Sequence, residues 1–286
     1  MMTVTWEEIG RAQPQTLTEA RLQLHYAIQF IAATGAALAE PLPDYSHTSL
    51  VWDPTLEVFV GAPIRAAQPF RVALDPITLT AVLVDRQGDT LASFPLHSRT
   101  LAEGLQWHQA EVTCLGADGS TVELLSYPAD FPEHGLARGA TFDASQAEAE
   151  RQELSYYYAN TDRLLQGIVD AADDASPVCI WPHHFDMATL ISLPGYQQGE
   201  PTTIGIGLSP GDSSYNEPYW YVSPYPYPSL EVLPPLDGKG VWHTQHWVGA
   251  VLTASQLTGK SAQAQAEQVR QFLRSAEQVS TALLQG

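Results

Sequence analysis

The chain has 286 residues, 44% of them hydrophobic, which is enough core for one large domain or two packed halves. Charged residues make up only 16%, and seven Trp with twelve Tyr point to order, because disordered chains are charge-rich and aromatic-poor. The net charge of −19 argues against nucleic acid and anionic membranes as partners, since no Lys/Arg cluster exists to release phosphate counterions.

Between Arg163 and Lys260 the sole Lys or Arg is Lys239, so a heavily phosphorylated substrate would find little to pair with there. A cation, a neutral small molecule or a basic protein fits that field better. Cys114 and Cys179 are too few for a disulfide framework, and Cys179 in its apolar run reads as a buried, inert thiol. The first ten residues carry Glu7 and Glu8 and no apolar signal segment. No run approaches the ~18 apolar residues of a membrane span. A cytoplasmic location is the expectation.

In chain order, Thr16 to Glu19 reads as a capping box opening a helix striped by Leu24, Ile28, Ile31, Gly35 and Leu38. Pro41 and Pro43 stop it. Strand-like runs follow at 49–52, 56–60, 78–84 and 90–94, with a hairpin turn at Arg86-Gln-Gly-Asp89. A second capping box at Thr100 to Glu103 leads a helix through about Val112, and a short strand is expected near 122–125. Residues 128–143 hold Pro128, Pro132, Gly135 and Gly139 and read as a linker. A third capping box, Ser145 to Glu148, opens a helix with Leu154, Tyr158, Leu165 and Ile168 on one face. Strands are expected at 178–181, 185–193, 203–208 and 219–223, and a helix from about Ser261 closes the chain.

The pattern predicts an α+β protein of two similar halves, 1–127 and 144–286, each a small, mostly antiparallel sheet covered by helices. Trp52 and Trp181 fall at matching places in the two halves, as a duplication would leave them.

Gly207-Leu-Ser-Pro-Gly211 matches the nucleophile elbow G-x-S-x-G, with Asp237 and His243 following in the order of that family. The oxyanion hole of an elbow needs the N–H of the residue after the serine, and Pro210 has none. A helix must also follow, and 212–218 is polar and turn-like. A type II turn with Pro210 and Gly211 at its centre is the better reading.

The polar chemistry concentrates between Trp181 and Trp247. On a strand from Phe185, His184 and Asp186 would share one face, opposite Phe185, Met187, Thr189 and Ile191. An imidazole and a carboxylate so placed suit zinc, iron or manganese. His243 and His246, three apart, could complete the metal set, with Glu217 or Asp212 as general base. His183 adjoins this group. Gly205 and Gly207 alternate with Ile204, Ile206 and Leu208, so close approach by a ligand or a bulky side chain is expected over the glycines. Tyr219 and Tyr221 open an aromatic, Pro-rich run to Pro228 that could line a groove. No established metal or phosphate signature is present, and a satisfied buried His–Asp pair is the structural alternative.

The blocks Trp181-Pro-His-His-Phe-Asp-Met-Ala188, Gly205-Ile-Gly-Leu-Ser-Pro-Gly-Asp212 and Glu217-Pro-Tyr-Trp-Tyr-Val-Ser-Pro224 resemble a family of uncharacterised bacterial proteins. Leu42-Pro-Asp-Tyr-Ser-His47 resembles a further part of its pattern. The resemblance spans most of the chain and implies no activity. The residues themselves favour a small-molecule-binding protein or metal-assisted hydrolase with a His/Asp pocket. The rival is a non-catalytic interaction protein with an aromatic, Pro-rich surface.

Overall fold

The computed structural model describes residues 6–127, 130–197, 199–231 and 233–285. The chain is α+β, with helices and antiparallel strands mixed, and it resolves into two compact units. One, here the N-terminal unit, comprises Leu17–Ser155 and Cys179–Phe185; the C-terminal unit comprises Met1–Thr16, Tyr156–Val178 and Asp186–Gly286. Of the segment 128–143, expected to be a linker, the described residues 130–143 lie inside the N-terminal unit and carry a 3-10 turn at Gly135–Arg138.

In the N-terminal unit the strands are β1 (Leu50–Asp53), β2 (Val58–Gly61), β3 (Arg71–Asp75), β4 (Thr80–Val84), β5 (Thr90–Pro95) and β6 (Cys179–Trp181). They run antiparallel in the order β6-β1-β2-β3-β4-β5. The helices are α1 (Thr18–Ala27), α2 (Gln29–Leu38) and α3 (Leu101–Cys114), with α2 packed on β2 and β3 and α3 on β5. The first helix of the sequence is therefore two, divided at Ile28. Its capping box does not form: the helix opens from a 3-10 turn at Pro14–Leu17 without a side-chain cap, and Glu19 accepts from Gln23 instead. The second box does form, with the Thr100 side chain taking the Glu103 N–H and Glu103 returning to the Thr100 N–H.

Helix α4 (Glu148–Val169) crosses the division between the units. Its expected capping serine is diverted: Ser145 donates both N–H and hydroxyl to Asp143, and Ala147 takes a left-handed φ of 57°. Buried Arg151 secures the approach by donating to the carbonyls of Ile77, Ala144 and Gln146. No strand forms near 122–125, where a 3-10 turn at Gly119–Thr121 leads into irregular chain.

In the C-terminal unit β7 (Asp186–Gln197), β8 (Glu200–Ser209), β9 (Tyr219–Tyr225), β10 (Val241–His243) and β11 (Gly249–Thr253) form an antiparallel sheet, ordered β7-β8-β9-β11-β10. One face is the core. Met187–Leu208–Trp220–Leu252 and Thr189–Ile206–Val222–Ala250 lie in cross-strand rows, all buried. Against this face pack α5 (Ala262–Gln285), through Val269, Phe272 and Ala276, and the later part of α4. Trp220 donates its indole N–H to Thr161 at 2.9 Å and its ring meets Tyr157 and Trp6. Buried Gln265 fastens the chain near Trp6 by bonding its indole and both backbone groups of Ile9. None of the described helices is long and apolar enough to cross a membrane.

Candidate functional site

The opposite face of the C-terminal sheet is the open one, as antiparallel sheets allow. Its rows are Ala188–Gly207–Tyr221–Val251–Val241, then Leu190–Gly205–Ser223, then Ser192–Thr203–Tyr225. Leu190, Tyr225 and Val241 are exposed on it.

Aromatic rings lie flat on this face because glycine leaves room for them. A Cβ on Gly207 would stand 2.8 Å from the Tyr221 ring, and one on Gly249 would stand 2.5 Å from the Trp247 ring. The side chain expected over Gly207 is thus the protein's own tyrosine. Above Gly205 nothing lies nearer than the Ser223 carbonyl at 3.8 Å, so that position remains open.

Three phenols mark the end of the face nearest Asp186. Tyr221 donates to Asp186 at 2.5 Å, Tyr219 to Asp212 at 2.6 Å, and Tyr215 meets His243 Nδ1 at 3.0 Å. His243 Nε2 lies 2.6 Å from the Gln245 carbonyl, which can only accept. Nε2 therefore carries a proton, and Tyr215 engages the ring's other nitrogen. Trp247 stacks on His243 at 4.3 Å and lies parallel to Tyr219 at 6.4 Å.

Burial, with the adjacent Asp212 charge, raises the Tyr215 and Tyr219 phenols above their usual range, and burial with Asp186 does so for Tyr221. All three stay protonated at neutral pH, as donors rather than nucleophiles.

The residues expected to do catalysis are engaged otherwise. Asp212 Oδ1 accepts the N–H of Ser214 and Tyr215 and its Oδ2 accepts Tyr219, so it organises its own loop. Glu217 accepts from Gln15 and from the Ser255 N–H, tying the start of β9 to the 3-10 turn after β11. Ser209 is buried, its hydroxyl accepts the Gly211 N–H, and Gly211 has the positive φ (111°) of a turn.

The expected strand from Phe185 also needs correction. β7 starts at Asp186, Phe185 has a φ of 60°, and 182–185 is a turn closed by Phe185 N–H to the Trp181 carbonyl. The alternation placing His184 and Asp186 on one face therefore stops at 186. His184 pairs with Asp130 at 3.0 Å, both half-exposed, and its ring lies 4.1 Å from that of His183.

The Trp181–Asp186 block has a structural task inside the N-terminal unit. The Pro182 carbonyl accepts from Gln29 at 2.9 Å and lies 2.9 Å from His25 Nε2, while Tyr127 donates to Gln29. Phe185 is buried against His25 and Phe59. The Leu42–His47 block is likewise a self-bonded turn. Asp44 accepts from the Ser46 N–H and hydroxyl, Leu42 N–H bonds His47, and the turn sits where a Cβ on Gly35 would strike the His47 carbonyl at 2.5 Å.

His246, with a φ of 70°, lies in the exposed turn after β10. Among the described residues no group of three or more His, Cys, Asp or Glu is placed to hold a metal ion, so the set His184, Asp186, His243 and His246 is not assembled. Cys179 is half-buried and burial raises its thiol pKa, while Cys114 is exposed.

What sequence reasoning missed is Tyr215, Trp247 and Gly249. A Trp two residues before a strand glycine is the signal that could have found the last two. No family model, curated protein or solved structure matches the chain.

Proposed function

We propose that the C-terminal unit binds a small organic cation on the open sheet face, and that this binding rather than hydrolysis is its activity. One observation carries the reading. Tyr215, Tyr219, Tyr221 and Trp247 gather with Asp186 and Asp212 at one end of that face, in a stretch whose only Lys or Arg is Lys239. Ring faces and carboxylates attract an ammonium group together, contributing roughly 0.5–2 kcal/mol for each ring engaged. The open position above Gly205 gives the rest of the ligand a place beside Tyr221. Protonated phenols and an internally satisfied His243 favour binding over proton transfer. The resemblance to the uncharacterised bacterial family stays part of this reading, since its blocks include Asp186, Gly205 and Tyr219 to Ser223.

The test is a titration with benzyltrimethylammonium, followed by amide chemical shifts, on the wild type and on Trp247→Leu and Asp186→Asn. Saturable shifts along β8 and β9 are expected, with affinity about tenfold weaker in either variant, the scale of one lost charge-assisted contact. Absence of saturable shifts sinks the proposal. Binding of a neutral methyl glycoside instead, insensitive to salt, would replace the cation with a sugar.

The rival, an interaction protein, rests on the exposure of Tyr225, Tyr227 and Leu230. A Tyr225→Ser, Tyr227→Ser double variant separates the two: it leaves cation binding intact only if those rings serve something else.

A further inference from the structure

Three of the thirteen Lys and Arg residues of this acidic chain line a single pocket in the N-terminal unit. Arg65, Arg71 and Arg86 surround a cavity of about 460 Å³ whose apolar wall includes Pro63 and Pro69, over the buried Phe70. The volume falls within the ~300–1,000 Å³ usual for small-molecule sites.

The backbone that carries these side chains is pinned. Ile64 and Phe70 bridge across the β2–β3 connection, with N–H to carbonyl distances of 2.8 and 3.3 Å, which fixes the loop bearing Arg65. Arg71 opens β3 opposite Val84 of β4, and Arg86 follows Val84 by two residues in the β4–β5 turn. That turn is closed by Asp85, whose Oδ1 accepts the N–H groups of Gln87 and Asp89. Strand pairing thus brings together arginines up to 21 residues apart in sequence.

The nearby acids engage two of the three arginines in ion pairs. Asp53 pairs with Arg71 at 3.2 Å, but its other oxygen is held by the Thr55 and Leu56 N–H groups, so the pair aims the guanidinium. Arg65 and Glu40 lie 3.4 Å apart with side chains 91% and 76% exposed, where an ion pair holds little against solvent. Arg86 makes no ion pair among the described residues. Guanidinium forks match carboxylate and phosphate oxygens, and an apolar wall beside them suits a compact hydrocarbon body.

We propose that this pocket binds a small organic anion, its carboxylate or phosphate head held by Arg65, Arg71 and Arg86 and its apolar body laid against Pro63 and Pro69. This proposal is independent of the cation site.

Calorimetric titration of the full chain at low salt with benzoate, phenyl phosphate, inorganic phosphate and phenol tests it, with amide shifts locating the site. Benzoate or phenyl phosphate should saturate with shifts confined to 63–71 and 85–88, and whichever binds tighter identifies the head group. Arg86→Gln, a change in an exposed turn, should weaken binding about tenfold, and Arg65→Gln by a smaller factor. Phenol should not bind. No saturable heat from either organic anion, or equal affinity in the wild type and both variants, overturns the site. Inorganic phosphate binding as tightly as phenyl phosphate overturns the role given to the apolar wall.

Discussion

At the residue scale, Trp181–Asp186 shows how a conspicuous motif can do structural work. Two adjacent histidines and an aspartate invite a metal reading, yet the residue that matters most to the block is His25, 157 positions from Pro182, whose carbonyl it meets. Nothing in the sequence marks His25, because its task depends on α1 lying beside the turn. Two substitutions separate the roles. His184→Ala should leave the melting temperature within experimental error, since its partner Asp130 is exposed and solvent already competes for both. His25→Ala removes a buried ring stacked on Phe185 and one of two groups at the Pro182 carbonyl. It should cost roughly 2–3 kcal/mol. Chemical denaturation of both variants checks this, and a larger loss in His184→Ala would restore it to a structural centre.

At the element scale, legibility followed local chemistry. Alternation in Thr203–Leu208 and Phe185–Leu193 marks β8 and, one residue early, the start of β7, and the Arg86–Asp89 turn marks the β4–β5 hairpin. β3, β10 and β11 were missed: β10 has three residues, and the short apolar runs of β3 and β11 lack alternation. The three capping boxes are equivalent in sequence, but only Thr100–Glu103 forms, because Ser145 is drawn off by Asp143 and Glu19 by Gln23. The glycines of β8 look interchangeable and are not. Gly207→Ala would press a methyl to 2.4 Å from the Met187 carbonyl and onto the Tyr221 ring, at a cost of roughly 1–3 kcal/mol. Gly205→Ala meets only the Ser223 carbonyl, at an ordinary contact distance of 3.8 Å, and should be neutral or slightly stabilising. Equal melting temperatures for the two variants would mean that Tyr221 does not lie over Gly207.

At the scale of the whole molecule, charge and burial pull in opposite directions as pH falls. Approaching the pI near 4.6 relieves the repulsion of 19 excess negative charges. Two buried histidines act against that relief. Burial lowers His25 to about 3 and His108 to about 4, from 6.5. His108 is fully buried, with Phe30 and Trp107 against its ring; its Nδ1 meets the Gly104 carbonyl and its Nε2 has no partner among the described residues. Because both folded values are depressed, the unfolded chain takes up the protons first. The stability these groups confer is present above pH 6.5 and is lost as pH falls toward 4 and 3, at about 1.4 kcal/mol per pH unit for each proton. Asp162 and Glu277, whose pKa values burial raises, work with the opposite sign: they cost stability at neutral pH and return it as they protonate. The histidine shifts are the larger ones, so the histidine loss should dominate between pH 6.5 and 5. Denaturant midpoints measured at pH 7.5, 6.5, 5.5 and 5 should therefore decline through that window even as net charge shrinks. His108→Phe, which fills the same site without a titrating nitrogen, should roughly halve the decline. A wild-type profile flat across the window would mean that these rings reach water or protonate within the fold.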